Sequence, residues 1–243
     1  MYVQVGDQLN VPRLLRVLRC RKLAAEVGSQ LRGKHMEFFD VVHSQRSIRK
    51  FKPDPVPQDA LWQILDAAIR APSGSNTQPW GWLVVQDAAK RKALADAVRA
   101  KMGDPEAGRR EAMTLEPDRR RMRLSSIAFR EDVSAAPCLI IPCLVNVTSP
   151  TRDVNSLFAG SSIYGAVQNL MLSARAIGLG TVLTTFNTAI EDTIRSEFNL
   201  PDDAKPVAVI PVGYPDGQTF GPTTRKPVES VAFFDGWDQT RSR

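Results

Sequence analysis

Ala71-Pro72-Ser73-Gly74-Ser75-Asn76-Thr77-Gln78-Pro79-Trp80 separates a run of helical periodicity from a short apolar run. Pro72, Pro79 and Gly74 exclude regular structure here, and Ser73, Ser75, Asn76, Thr77 and Gln78 crowd hydrogen-bonding groups between them. Such a stretch is either an ordinary polar turn or a rigid contact surface for a polar aromatic ligand. The residues on both sides decide between these readings.

Upstream, Gln58 to Arg70 reads as a helix, with Leu61, Ile64, Leu65 and Ala68 on one face and Asp59 in the first turn. Downstream, Gly81 to Gln86 is a short β-prone run. Ala88 to Met102 is helical, with Leu94, Ala97 and Val98 inward, and Gly103 stops it. In residues 103–125, eleven of 23 are charged, so we expect an exposed insertion, 103–130, in the place of an active-site lid. Pro137 to Val147, Gly180 to Phe186 and Val207 to Gly213 are expected strands, the first interrupted by Pro142. Asn155 to Ile177 is the most apolar helix, with Gly160 and Gly165 admitting another helix closely and Gly178 ending it. Thr188 and Glu191 have capping-box spacing for a helix to about Phe198. Phe38, Phe39, Val41 and Val42 suggest a short helix before Ser44, and Phe233, Phe234 and Trp237 form a late aromatic cluster. Interleaved strands and helices through one continuous body predict one α+β domain around a central sheet.

Composition narrows the function classes. The formal net charge of +6 is concentrated in residues 1–36, a basic extension of net +5, and the other 207 residues carry only +1. No basic face for nucleic acid is required of the body. The Arg119–Arg123 run is flanked by Glu116 and Asp118 and reads as a solvated helix face. Within the extension, Val11, Leu14, Leu15 and Leu18 suggest a short amphipathic helix. Three cysteines, Cys20, Cys138 and Cys143, make no disulfide framework, and with two histidines a zinc site is not expected. No stretch reaches the roughly 20 apolar residues of a membrane span. A reducing, cytoplasmic setting fits, with no integral membrane segment, no nucleic acid and no metal.

Arg46-Ser47-Ile48-Arg49 sets two guanidiniums and a hydroxyl within four residues, a pattern suited to a phosphate, and Arg225 could close on the same group. GxGxxG, GxxxxGK[ST], HExxH and GxSxG patterns are absent, which argues against dinucleotide-fold, P-loop, zincin and serine-hydrolase chemistry. The run from Ser44 to Phe51, then Pro55-Val56-Pro57, Ile64 to Ala68 and the loop quoted first together resemble the opening of the FMN-dependent nitroreductase family. Gly178 to Thr185, Pro211 to Pro215 and Arg225 to Glu229 are similar to later motifs of that family in kind and order, and the resemblance covers about residues 37–237.

The resemblance implies a nitroreductase-like α+β fold over residues 37–243, with a central mixed or antiparallel sheet flanked by helices. It also implies an intertwined homodimer with FMN at the subunit interface. Arg46, Ser47, Arg49 and Arg225 would hold the phosphate and ribityl chain. Pro72, Ser73, Gly74, Asn76 and Gln78 would bind along the ring, from the partner subunit. Leu183, Thr184 and Thr185 correspond to the strand end beside the reactive nitrogen, with Thr185 as the catalytic group. NADPH or NADH would reduce the flavin and leave. A nitroaromatic, quinone or similar electron-poor acceptor would then take the electrons at the same face, in ping-pong order. Three alternatives stay open: a flavin-binding storage or sensor protein without turnover, a dehalogenase branch and a flavin-fragmenting branch of the same fold. The insertion lacks the Lys and Tyr with which the dehalogenase branch clamps its substrate.

Overall fold

The computed structural model describes residues 36–147 and 157–241 of the chain. Its contacts divide the chain into Met1–Glu37 and Phe38–Arg243, and the second unit is described below. The amphipathic helix expected near Val11–Leu18, Cys20, and the start of the helix expected from Asn155 lie outside the described residues.

Five strands form the sheet: β1 (Trp80–Val85), β2 (Cys138–Leu144), β3 (Gly180–Thr181), β4 (Lys205–Pro206) and β5 (Ile210–Gly213), in the order β1-β2-β5-β3 with β4 also on β2. Every ladder is antiparallel, and a single parallel bridge joins Ser47 to Thr181. Strand β2 is buried along its whole length. Its side chains alternate between two cores. Leu139, Ile141 and Cys143 enter one, with Leu94 and Val98 of α3 (Ala88–Lys101), Phe129 of α5 (Pro117–Glu131) and Ile194 of α7 (Glu191–Phe198). Cys138, Ile140 and Leu144 enter the other, with Leu61 and Ile64 of α2 (Gln58–Ala68) and Ile163, Val167 and Leu170 of α6 (Leu157–Ala176). Helices therefore cover both faces of the sheet, an α+β arrangement. The short α1 (Phe38–Ser44) buries only Val41.

Residues 103–131 are exposed for the most part but form two helices, α4 (Pro105–Ala112) and α5. Asp104 caps α4 through the Glu106 and Ala107 amides, and Pro105 and Pro117 open the two helices at positions that need no N–H. Ala112, Ile127 and Phe129 are buried, and the Phe129 ring meets Phe51 edge-on at 6.5 Å.

Three local expectations are corrected, and a fourth finds no support in the chain's own contacts. The strand expected over Gly180–Phe186 forms a ladder only at Gly180–Thr181, followed by an isolated bridge from Thr184 to Val209 and then a single 3-10 turn, Phe186–Thr188. Val207–Gly213 is not continuous either. Pro206 to Ile210 is four steps, whereas the opposing Cys143 to Ile140 is three, so one extra residue bulges out opposite Pro142. Pro142 has no N–H for that side of the ladder. Thr188 is not a helix cap: its hydroxyl donates to Thr185 O, and α7 starts after Ile190 without a side-chain cap. Gly160 and Gly165 do not admit another helix closely among the described residues. A Cβ on Gly160 would first meet its own Tyr164, and one on Gly165 would lie at an ordinary 3.8 Å from Ala71.

Cys138 and Cys143 are buried and unpaired, and burial pushes their thiols up to about 12 and about 11. They are inert core residues. Glu191, freed from any capping role, takes Arg195 at 2.8 Å and Lys205 at 2.6 Å, which ties α7 to β4. Burial alone would raise Glu191, but the hydrogen bonds and charges of Lys205 and Arg195 outweigh it and hold the carboxyl below 4.5. A carboxyl lowered by folding adds stability above its unfolded pKa and loses it as pH falls through the folded one. Urea unfolding at pH 7 should find Glu191→Gln less stable by about 1–3 kcal/mol, and the gap to wild type should shrink steadily below pH 4.5. A gap that is constant with pH would contradict this assignment.

Candidate functional site

Residues 46–51 lie along the β3 edge, held by main-chain bonds. The Ile48 amide donates to Thr181 O at 2.9 Å, Lys52 N to Tyr214 O at 2.9 Å, and Asp216 N to Lys50 O at 3.0 Å. Gln218 Oε1 accepts from both Arg49 N (2.7 Å) and Lys50 N (3.0 Å). Ile48 packs so tightly on Gly180 that a Cβ there would stand 2.7 Å from it, and Gly213 is crowded in the same way by Pro137 and Phe51. Only glycine allows this approach. The backbone of the segment is therefore fixed while Arg46 and Ser47 remain exposed and Arg49 half-buried.

These arginines are electrostatically unsatisfied. Neither the Arg46 nor the Arg49 guanidinium forms an ion pair or a hydrogen bond among the described residues, whereas Arg91, Arg120, Arg130, Arg175 and Arg225, which also lack an ion pair, each donate a side-chain hydrogen bond. Burial pushes the Arg49 guanidinium below its ordinary value. Two guanidiniums and a hydroxyl on a fixed backbone, one partly desolvated without a carboxylate, fit an external anion such as a phosphate. The tail runs alongside: Gly221 N donates to Ser44 O at 3.3 Å, and Arg175 of α6 lies over Phe220 while its Nε donates to Ser44 Oγ. Arg225 follows, exposed, with its Nη1 on Thr224 O and no hydrogen bond to residues 46–49.

The polar loop is pinned at the other end of α6. Ser162, buried on that helix, accepts the Gly74 amide at 3.0 Å, and Ser73 Oγ accepts Gln78 N at 3.0 Å. Ser162 and Arg175 are 13 residues apart on one helix, roughly 20 Å at 1.5 Å per residue. Within the loop, Thr77 Oγ1 donates to Gly74 O and Gln78 Nε2 to Asn76 Oδ1. Ser75, Asn76 and Gln78 all have positive φ (49°, 53° and 50°). Pro72 and residues Gly74–Gln78 are exposed, and no hydrogen bond ties the loop to residues 46–49 or 183–185 of the same chain. Trp80 instead packs against the α2/α6 core.

Leu183, Thr184 and Thr185 differ in what they leave available. Thr184 exchanges both main-chain bonds with Val209, and its hydroxyl also donates to Val209 O. Thr185 is exposed, its amide and hydroxyl make no hydrogen bond to the described residues, and Leu183 is exposed beside it. Thr185 lines an open cleft of about 490 Å³ with Ser161, Tyr164, Asn187 and Val207. Ser161 adjoins the loop's anchor, so cleft and loop share one end of α6. No group of His, Cys, Asp or Glu among the described residues could hold a metal.

Sequence reasoning missed two residues that shape the site. Ser162 carried a signal, being a polar residue on the apolar face of the predicted helix. Gln218, in a polar turn, carried none.

Known proteins point the same way. Residues 42–214 match the model of the nitroreductase family. A nitrobenzene nitroreductase of Ectopseudomonas oleovorans is 31% identical over 198 residues, which span 73% of this chain and 86% of that protein. Rat iodotyrosine deiodinase 1 is 27% identical over 210 residues, 83% of this chain and 70% of that protein. In structure, an FMN and NADPH-dependent nitroreductase from sphigopyxis sp. strain HMH superposes with a TM-score of 0.64 at 22% identity, covering 83% of this chain and all of the other. With its fixed arginine segment, strained polar loop and matching motifs, the chain belongs to the nitroreductase family, a family of FMN-dependent NAD(P)H oxidoreductases.

Proposed function

We propose that the protein is an FMN-dependent, NAD(P)H-using reductase of nitroaromatic, quinone or similar electron-poor acceptors, working in ping-pong order as an intertwined homodimer. The observation that carries this reading is the pair of unpaired guanidiniums, Arg46 and Arg49, held rigidly on the β3 edge from which the chain runs on to Thr185. Ser47 and Arg225 complete the phosphate end. FMN, when bound, supplies the hydride-accepting and electron-donating ring. The chain's own part is to grip the phosphate, orient the ring and limit access to it. Thr185 offers a main-chain N–H and a hydroxyl to the ring edge, whereas the Thr184 hydroxyl is committed to Val209 and positions its neighbour.

Two observations support the homodimer. The loop residues Pro72, Ser73, Gly74, Asn76 and Gln78 make no hydrogen bond to the arginines of their own chain, as expected if they serve the partner's ring. Large apolar side chains also stand in solvent on several elements, including Phe39 (68% exposed), Trp62 (63%) and Leu157 (93%), and exposed apolar surface of this extent marks an interface. Residues 103–130 form the lid in this reading and residues 1–36 a separate basic extension. We place the protein in the cytoplasm, in keeping with its unpaired core cysteines. No described helix is long and apolar enough to cross a membrane.

Purified protein should be yellow, and NADPH or NADH should bleach it anaerobically, with colour restored by a nitroaromatic or quinone. A colourless protein indifferent to added FMN would overturn the proposal, and a flavin that neither nicotinamide reduces would favour the non-turnover alternative. Arg46→Ala should weaken FMN binding by about 1.5–3 kcal/mol, or roughly 10- to 150-fold in Kd, in a fluorescence titration. Thr185→Val should slow flavin reduction in stopped-flow while leaving FMN affinity within about threefold, because one solvent-facing hydroxyl contributes little to ground-state binding. Unaltered kinetics and flavin potential would remove Thr185 from its role.

A further inference from the structure

We propose that the cavity enclosed by α3, α4 and α5 is a binding site for a small monoanionic ligand with an apolar body, such as a short-chain or single-ring carboxylate. The cavity holds about 230 Å³, below the ~300–1,000 Å³ of sites for drug-sized molecules. It is lined by none of residues 46–49, 72–78 or 183–185.

Its polar groups set the charge of the ligand it fits. Three carboxylates line it, and all are committed: Glu111 to Arg123 at 3.1 Å, Glu131 to Arg109, and Asp104 to the α4 amides and Arg110. Of the lining guanidiniums, Arg99 is used by Asp96 and by Glu131 O, and Arg123 by Glu111. Arg130 is the exception among the described residues. Only its Nε is engaged, by Ser126 O of its own helix at 3.2 Å, and no carboxylate meets its two terminal nitrogens. Each lining carboxylate already has a cationic partner whereas Arg130 has no anionic one, so the unbalanced charge in this lining is cationic and the complementary group is an anion able to accept two bonds.

The setting strengthens the demand. Arg130 is half-buried, and burial together with the nearby Arg123 charge pushes its pKa below the ordinary value. An anion would relieve both penalties. The remaining wall is apolar, built from Met102, Pro105 and Ile127, and Gly108 lets α4 approach Ile127 to a distance where a Cβ would already be tight at 3.1 Å. Inorganic phosphate would leave that wall uncovered. A carboxylate with a chain or ring of a few carbons would satisfy both halves and tie the α4–α5 hairpin to α3.

Hexanoate is a suitable probe, with 1-hexanol and inorganic phosphate as the uncharged and purely ionic controls, added to FMN-loaded protein at low ionic strength. Hydrogen exchange followed by peptide mass spectrometry should show hexanoate protecting residues 104–112 and 123–131. Arg130→Gln should weaken the apparent affinity by roughly tenfold or more, as expected for losing a charge-assisted bidentate partner. Ala107→Leu, which fills the cavity from an exposed position without altering charge, should abolish the protection, and both variants should keep the wild-type far-UV circular dichroism spectrum. Equal protection by 1-hexanol or by phosphate, protection unchanged in Arg130→Gln, or protection confined to other segments would each overturn the proposal.

Discussion

Pro142 sits in the middle of the central strand without an N–H, and much of the site follows from that absence. Its carbonyl faces the β4–β5 side and takes Val207 N at 2.9 Å, so the donor it lacks is missing from that same side. The opposing chain does not continue flat past it but bulges by one residue. Val209, released from β2, exchanges both of its main-chain bonds with Thr184. That exchange carries Leu183–Thr185 off the β3 ladder and leaves Thr185 facing open space. The carbonyls set free at the bulge find side chains: Asn187 Nδ2 donates to Pro206 O at 2.9 Å, and Tyr164 Oη to Val207 O at 3.3 Å. Both side chains line the cleft beside Thr185. One missing hydrogen bond in the core thus shapes the cleft and aims the residue assigned to the ring.

A second constraint acts at the sheet edge, where two glycines let bulky residues lie directly on the backbone. Ile48 on Gly180 and Phe51 beside Gly213 belong to the α3/α5/α7 core. Their neighbours Arg46, Ser47 and Arg49 are thereby fixed by packing that owes nothing to their own charges. This separates stability from recognition. Ile48 and Phe51 anchor the segment, and Arg46, Ser47 and Arg49 around them are left without an ion pair, open to a ligand.

Element types were largely legible in the sequence because periodicity and burial agree: Leu61, Ile64 and Ala68 face one core, and Leu94 and Val98 the other. The errors cluster where a tertiary partner overrides a local signal. Thr188 and Glu191 have the spacing of a capping box, but Lys205 and Arg195 claim the carboxylate. Val207–Gly213 is β-prone throughout, yet its pairing is decided by a proline some 65 residues earlier. Residues 103–131 are the exposed insertion the charge density suggested, and their helical order, readable in Asp104-Pro105 and Pro117-Asp118, was taken up only as the helix face at Arg119–Arg123. For the site, the residue types were legible and their states were not. Sequence placed Thr184 and Thr185 together, and only the main-chain bonding to Val209 tells the committed hydroxyl from the available one. Gln218, which holds the arginine segment through two amides, had no pattern to reveal it.

The loop from Pro72 to Gln78 is where the chain departs furthest from easy backbone geometry. Three non-glycine residues there occupy the left-handed region, at a cost of about 1–2 kcal/mol for each one that lacks a compensating local bond. Relaxing any of them would lower local energy, so other contacts must forbid it. Those contacts are the buried Ser162 hydroxyl on Gly74 N and the Ser73 hydroxyl on Gln78 N, which clamp the loop at both ends, with Thr77 and Gln78 bracing it between. None of this strain serves the chain's own core, because the strained residues are exposed. A loop held rigid against its own preference, with its strained residues exposed, has the form of a surface organised in advance for something that is not its own chain. In the proposed homodimer that is the partner's flavin, and the conformational cost is met in folding rather than at binding.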